Sequence, residues 1–217
     1  MLTIFYSPHM TSVDNEARRA SGHADVPLAA AGFELARALG RHYAGETLAA
    51  VFHSDLQRAA ETARLAFAGR VLPLVGDARL REYDYGELTR SPLAEVVAEF
   101  PRRITEPFPG GESLLMVVQR VGACLREILL DYDGKTIALI GHRATRYALE
   151  YWCSERSLEE IVNTPWEWRE IPIWRYELHA WQHEQRALTL PHAAPFEAPG
   201  RDAEAGDGWT ERSAPGN

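Results

Sequence analysis

One alternation constrains this chain more than any other feature. Short apolar runs recur, each followed at once by polar residues and then by a segment of helical period. Leu2 to Ser7 (LTIFYS), Ala49 to Ser54 (AAVFHS) and Thr136 to Gly141 (TIALIG) read as short buried strands. Pro27 to Ala44 reads as a helix, with Leu28, Ala31, Leu35, Ala38 and Leu39 on one face. A second helix runs to about Ala68, with Asp55 as a candidate cap. Pro92 to Phe100 is a short helix. The long core helix begins near Ser113, because Leu114, Val117, Val118, Val121, Leu125 and Ile128 keep helical period. Arg143 to Cys153 is a further helix. Strands alternating with helices imply an α/β fold, a three-layer sandwich whose mostly parallel central sheet is flanked by helices. Ligands of such sheets bind beyond the carboxyl ends of the strands.

The remaining segments read less sharply. Val71 to Leu74 is expected as a short strand, and residues 104–112 (ITEPFPGGE), with two prolines and two glycines, as loop. Ile171 to His179 and Glu184 to Leu190 are expected to pair as edge strands. From His192 onward Ala, Pro, Gly and charged residues prevail, so the expected organisation is one domain over 1–190 and a disordered tail over 191–217. A length of 217 residues suits that arrangement.

A net charge of −8 argues against nucleic acid as a partner, because such binding needs a basic face to release counterions. If the substrate is a phosphate ester, positive charge must be gathered locally in its site. The longest apolar runs fall short of the roughly 18 residues that a membrane span needs, so no membrane partner is expected. The N-terminus enters a strand without a signal-like stretch, and Cys124 and Cys153 form no C-x-x-C pair. The expected location is the cytoplasm, with both thiols reduced. Self-association as a homodimer stays open.

Three strand ends deliver polar residues to one edge of the expected sheet: SPHMTS after the first, HSDLQR after the second and GHRATR after the run at 136. His9, Ser54 with Arg58, and His142 can therefore converge. The zinc motif H-E-x-x-H, the serine-hydrolase elbow G-x-S-x-G and the Walker A loop are all absent, so neither a metal nor another cofactor is expected.

The stretch PHMTSVDNEARRASGHADVPLAAAG resembles the signature of the histidine phosphatase (phosphoglycerate-mutase-like) superfamily, in which R-H-G is followed by T/S, N and R-x-x-G-x-x-D-x-P-L. SDLQRAAETA at 54–63, RLREYDYGEL at 79–88, FPGGES at 108–113 and ALIGHRATRYAL at 138–149 resemble its later blocks, in the family's order. The resemblance implies that fold, with His9 as the nucleophile that takes a phosphoryl group. It implies that Arg58 clamps phosphate, Glu82 donates the proton and His142 lies in the phosphate pocket. It puts Ser12 and Asn15 on the phosphate side, and Gly22, Asp25, Pro27 and Leu28 on the turn that follows.

These residue types suit phosphoryl transfer. A neutral imidazole attacks phosphorus when its other nitrogen donates to a fixed acceptor. The transferring group spreads negative charge over its oxygens, which an arginine fork and a protonated His142 can meet. The leaving alkoxide takes its proton from a carboxylic acid, Glu82. The expected activity is hydrolysis of a small phosphorylated metabolite, with two alternatives: mutase-type phosphotransfer, or a catalytically weakened relative that binds a phospholigand.

The pattern is broken at three positions. Pro8 stands where the family has arginine, and Met10 and Arg143 stand where it has glycine. Loss of the first guanidinium removes a phosphate contact, and Arg143 could restore its charge from the opposite side of the pocket. Arg18 and Arg19 are candidates for the substrate's far end, one of them to be a surface residue or part of a fold-stabilising ion pair. His23 reads either as lining the mouth or as an exposed loop residue. Arg146 is expected to pin its helix, Glu87 to lie on the surface, and Trp152, Trp166, Trp168 and Trp174 to pack in the core.

Overall fold

The computed structural model describes residues 1–165, 169 and 171–191. The expected tail beyond Pro191, with Trp166 and Trp168, lies outside the described residues. Strand β1 (Leu2–Pro8) leads through a short helix, α1 (Val13–Glu16), to α2 (Ala30–His42). Strand β2 (Ala50–His53), α3 (Gln57–Ala66) and β3 (Leu74–Gly76) follow. After a linking region come α4 (Leu93–Glu99) and the long α5 (Leu114–Tyr132). The chain ends with β4 (Thr136–Gly141), α6 (Arg143–Cys153), α7 (Leu158–Val162), β5 (Trp174–Leu178) and α8 (Ala180–Thr189).

The sheet has the order β3-β2-β4-β1-β5. Its first four strands are parallel, and β5 closes the edge antiparallel to β1. Side chains alternate across a strand, so each one feeds two cores. Leu2, Ile4 and Tyr6 of β1 and Ile137 and Leu139 of β4 join the core beneath α5 and α6. Val51 of β2 and Ala138 and Ile140 of β4 join the core beneath α2 and α3, with Ala36, Leu39, Ala59 and Phe67. The three-layer sandwich therefore follows from strands that are apolar on both faces. Each fully buried Leu, Ile or Val contributes about 1.5–3 kcal/mol to holding it. Helices α5 and α6 meet at Gly122, where a β-carbon would lie 2.2 Å from Cζ2 of Trp152. Trp152 is buried there as its residue type suggested, and its indole N–H donates to the Val118 carbonyl.

The main strands and the long helix lie where the periodicity put them, with Ser113 capping α5 through the Met116 amide. Three expectations need correction. Residues 184–190 do not form a strand: Ala180–Thr189 is a helix, pinned by His183 stacked on Trp152 and by Arg186 donating to the carbonyls of Tyr151 and Arg156. Asp55 does not cap α3, because its carboxylate is ion-paired with Arg81; Asp25 takes that place, accepting from the Gln57 amide at 2.7 Å. The third strand is shifted toward the C-terminus and begins at Leu74. Among the described residues, no helix is long and apolar enough to cross a membrane.

Candidate active site

Parallel pairing of β1 with β4 sets Pro8 opposite Gly141, and the His9 amide extends the ladder by donating to the Gly141 carbonyl at 2.8 Å. The next residues of the two strands are His9 and His142, so register alone brings them together. Their ring centroids are 5.0 Å apart at 57°. β2, on the far side of β4, leads into α3, whose second residue is Arg58. Its guanidinium is buried and reaches back beneath His9.

Each histidine has a defined state. His9 Nδ1 lies 2.7 Å from the Met10 carbonyl, which can only accept, so Nδ1 carries the proton and Nε2 keeps its lone pair. That lone pair accepts from Arg58 Nε at 3.2 Å. Burial first, and the Arg58 charge second, lower the His9 pKa from 6.5 to about 3. Burial, Arg58 and His9 likewise push His142 well below the usual imidazole range. The expectation of a protonated His142 is therefore corrected for the resting site: the ring is neutral. Neither of its nitrogens has a hydrogen-bond partner among the described residues, although the ring is buried. A buried polar group left unpaired is costly, and here it faces a cavity that a ligand can fill.

Arg58 is anchored from behind. Nη1 donates to the Ala24 carbonyl at 2.9 Å and Nη2 to the Gly22 carbonyl at 2.8 Å. Its fork is thus partly spent on the turn after α1, leaving the Nε side toward His9. Gly22 supports the turn with a left-handed φ of +53°. Glu82 stands at the cavity wall, where Oε1 accepts from the amides of Tyr83 and Ala144, each at 3.0 Å. Ala144 lies in the first turn of α6, whose amide groups have no partner within the helix and so are free to hold that oxygen in place.

The cavity measures about 400 Å³. His9, Arg58, Glu82, His142, Asn15, Gly22 and Arg143 all line it. Two expected contacts do not. Ser12 is buried, with its hydroxyl donating to Asn15 Oδ1 and accepting from the Asn15 amide, so it caps α1 instead. Arg18 is exposed, with a left-handed φ of 53°, and Arg19 rather than Arg18 reaches the cavity. His23 lies behind Glu82, its Nε2 2.9 Å from the Glu82 carbonyl. Arg146 stays on its helix near Glu150 and stacks on Trp174 at 4.0 Å. Arg143 packs over the ring of Phe100 at 5.7 Å. Sequence reasoning missed Tyr85, Leu35, Leu93, Arg169 and Pro172 as wall residues. The last two come from the segment before β5, which carries no motif.

The comparisons with known proteins place the chain in a family. The model of the histidine phosphatase superfamily (branch 1) matches residues 9–189. The chain belongs to that superfamily. It is 29% identical to an uncharacterized phosphatase, PhoE, of Bacillus subtilis over 135 residues, 62% of this chain and 68% of that one. It is 27% identical to phosphoserine phosphatase 1 of Hydrogenobacter thermophilus over 157 residues, 69% of this chain and 74% of that one. Among solved structures, YhfR of Bacillus stearothermophilus superposes with a TM-score of 0.73 at 25% identity, covering 83% of this chain and 93% of the other.

Proposed function

We propose that this superfamily member is a phosphomonoester hydrolase that works through a phosphohistidine on His9. One observation carries the proposal: a neutral imidazole with its proton fixed on Nδ1 presents a lone pair on Nε2 beside a buried guanidinium. In the first step Nε2 attacks phosphorus, the P–O bond to the alcohol breaks, and the Glu82 carboxyl gives its proton to the leaving oxygen. In the second step water attacks the phosphohistidine, Glu82 takes the water's proton, and inorganic phosphate leaves. Arg58 and the one N–H of the neutral His142 ring donate to the phosphoryl oxygens. Arg143 supplies the second full positive charge that Pro8 does not provide, and Asn15 offers its amide group, since its Oδ1 is taken by Ser12. The side-chain charges serve in place of a metal ion.

The cavity is larger than a phosphate needs and has both apolar and cationic walls, which suits a small phosphorylated metabolite. The acidic chain and its two free thiols fit a cytoplasmic enzyme acting on small molecules rather than on nucleic acid. The test is release of p-nitrophenol from p-nitrophenyl phosphate, with His9→Ala as control, followed by a panel of phosphometabolites. Turnover abolished by His9→Ala supports the proposal. Unchanged turnover in His9→Ala overturns it, and a phosphoryl group recovered on a second metabolite rather than as phosphate makes the protein a mutase.

A further inference from the structure

The proton donor Glu82 sits on chain that has little regular structure. Beyond a single 3-10 turn (Ala78–Leu80), residues 79–84 have no ladder or helix to fix their carbonyl groups. Such a segment positions a side chain only if something else holds its backbone, because each unpaired buried carbonyl costs free energy.

One buried side chain does most of this. Arg120 projects from α5 with no side-chain exposure, and its five N–H groups are all used. Nε and Nη2 form a bidentate pair with Glu112, at 2.8 and 2.9 Å. Nη1 donates to the carbonyls of Arg79 and Arg81, at 2.7 and 2.9 Å, and Nη2 donates to the carbonyl of Glu82 itself, at 2.9 Å. Glu112 completes the clamp by accepting from the Asp84 amide at 3.0 Å. The backbone is thus held at Glu82, just before it and just after it by one ion pair. The carbonyl in between, Leu80, accepts from Thr145 Oγ1 on α6 at 2.9 Å. The same helix supplies the Ala144 amide that holds the Glu82 carboxylate.

We propose that Arg120, paired with Glu112, is a positioning residue that sets the Glu82 carboxyl at the distance from the His9 phosphorus centre at which it can protonate the leaving oxygen. A buried ion pair stabilises a fold weakly, because desolvating both charges offsets most of their attraction. A long rigid fork that reads three carbonyls of one irregular segment is, by contrast, well suited to fixing a loop. Arg120 does not line the cavity and acts through the backbone that carries Glu82.

The proposal rests on the hydrolase reading, with Glu82 as the acid, and leaving-group dependence separates the two. The quantity read is kcat/KM, which ends at P–O cleavage and excludes hydrolysis of the phosphoenzyme. The substrates are p-nitrophenyl phosphate, whose leaving group needs little protonation, and the best alkyl monoester of the phosphometabolite panel. Loss of a general acid is expected to cost Glu82→Gln about 10²-fold or more on the alkyl ester and far less on the aryl ester. Arg120→Lys keeps the charge but cannot reach three carbonyls and a carboxylate together. It is expected to lose at least about tenfold on the alkyl ester and less than about threefold on the aryl ester, within that general-acid span. On the Glu82→Gln background it should add almost nothing. Glu112→Gln, which leaves Arg120 and an oxygen acceptor for it in place and perturbs the clamp from its other side, should show the same substrate contrast and gives a second, independent variant if Arg120→Lys does not fold. Equal losses on both esters in Arg120→Lys and Glu112→Gln, with the contrast intact in Glu82→Gln, overturn the positioning role alone. Absence of the contrast in Glu82→Gln overturns the acid assignment and the positioning role together.

Discussion

Replacing Arg58 by methionine removes a charge while keeping most of the side chain's bulk, and the structure says what should follow at two atoms. Arg58 Nε is 3.2 Å from the attacking nitrogen of His9 and is one of the two causes that hold the His9 pKa near 3. Without the guanidinium, the burial contribution remains and the electrostatic one is gone, so the His9 pKa should rise toward 6.5 without reaching it. Loss of one preorganised donor to a developing anion costs about 2.7–4 kcal/mol, or roughly 10²–10³ in kcat/KM. The same change strips the Ala24 and Gly22 carbonyls of charged donors, each bond contributing about 1.5–3 kcal/mol, so the turn after α1 should loosen and the melting midpoint fall. Arg58→Lys separates these effects, because it retains the charge beside His9 but cannot span both carbonyls. The assays are steady-state kinetics with p-nitrophenyl phosphate and NMR titration of the His9 ring in wild type and both variants. A methionine variant whose His9 titrates as in wild type, or whose kcat/KM falls less than about tenfold against the expected donor loss, refutes the reasoning.

Other outcomes follow from the same groups. His9 and His142 have folded pKa values below the unfolded value, so on acidification the unfolded chain binds their protons first; their contribution to stability is full above about pH 6.5 and is lost progressively as pH falls below it, for His9 down to about 3. Melting midpoints between pH 7.5 and 4.5 should therefore drop more steeply for wild type than for His142→Gln, and parallel curves would contradict the neutral His142. Arg143→Ala should weaken vanadate binding by about tenfold, the worth of one charge-assisted contact of about 1.4 kcal/mol, and Pro8→Arg on that background should recover part of it; unchanged binding removes Arg143 from the phosphate site. Truncation after Pro191 should leave melting midpoint and turnover unchanged, since the described core closes with α8 and Gln119 Nε2 donating to the Pro191 carbonyl; loss of the fold would show that the tail packs on the domain.

The chain announces its catalytic end more clearly than its edges. His9, Arg58 and His142 were legible because each sits directly beyond a buried strand or at the start of the helix after it, and parallel register turns that sequence position into spatial position. Glu82 came from the block resemblance, while the clamp that holds it was invisible: Arg120 keeps helical period with apolar neighbours and gives no sign that it faces a loop 38 to 41 residues away. A serine before a short polar helix carries the same pattern whether it meets a ligand or caps the helix, so the sequence does not distinguish the capping role that Ser12 takes. Residues 184–190 suggest a strand by their place after β5, yet their Ala, Gln, Glu, Arg and Leu favour helix, and what fixes the helix is tertiary, His183 on Trp152. Arg169 and Pro172 reach the cavity through a turn of the chain that no local rule encodes.

The most direct measurement is to trap the phosphoenzyme. Wild-type protein mixed with excess p-nitrophenyl phosphate, quenched in alkali within one turnover and digested, should yield one phosphopeptide, the one that contains His9, with the 31P and 15N signature of phosphorus on Nε2. The same treatment of His9→Ala should yield none. A covalent phosphate on any other residue, or full turnover with no phosphoenzyme at any quench time, would contradict the assignment of His9 as the nucleophile.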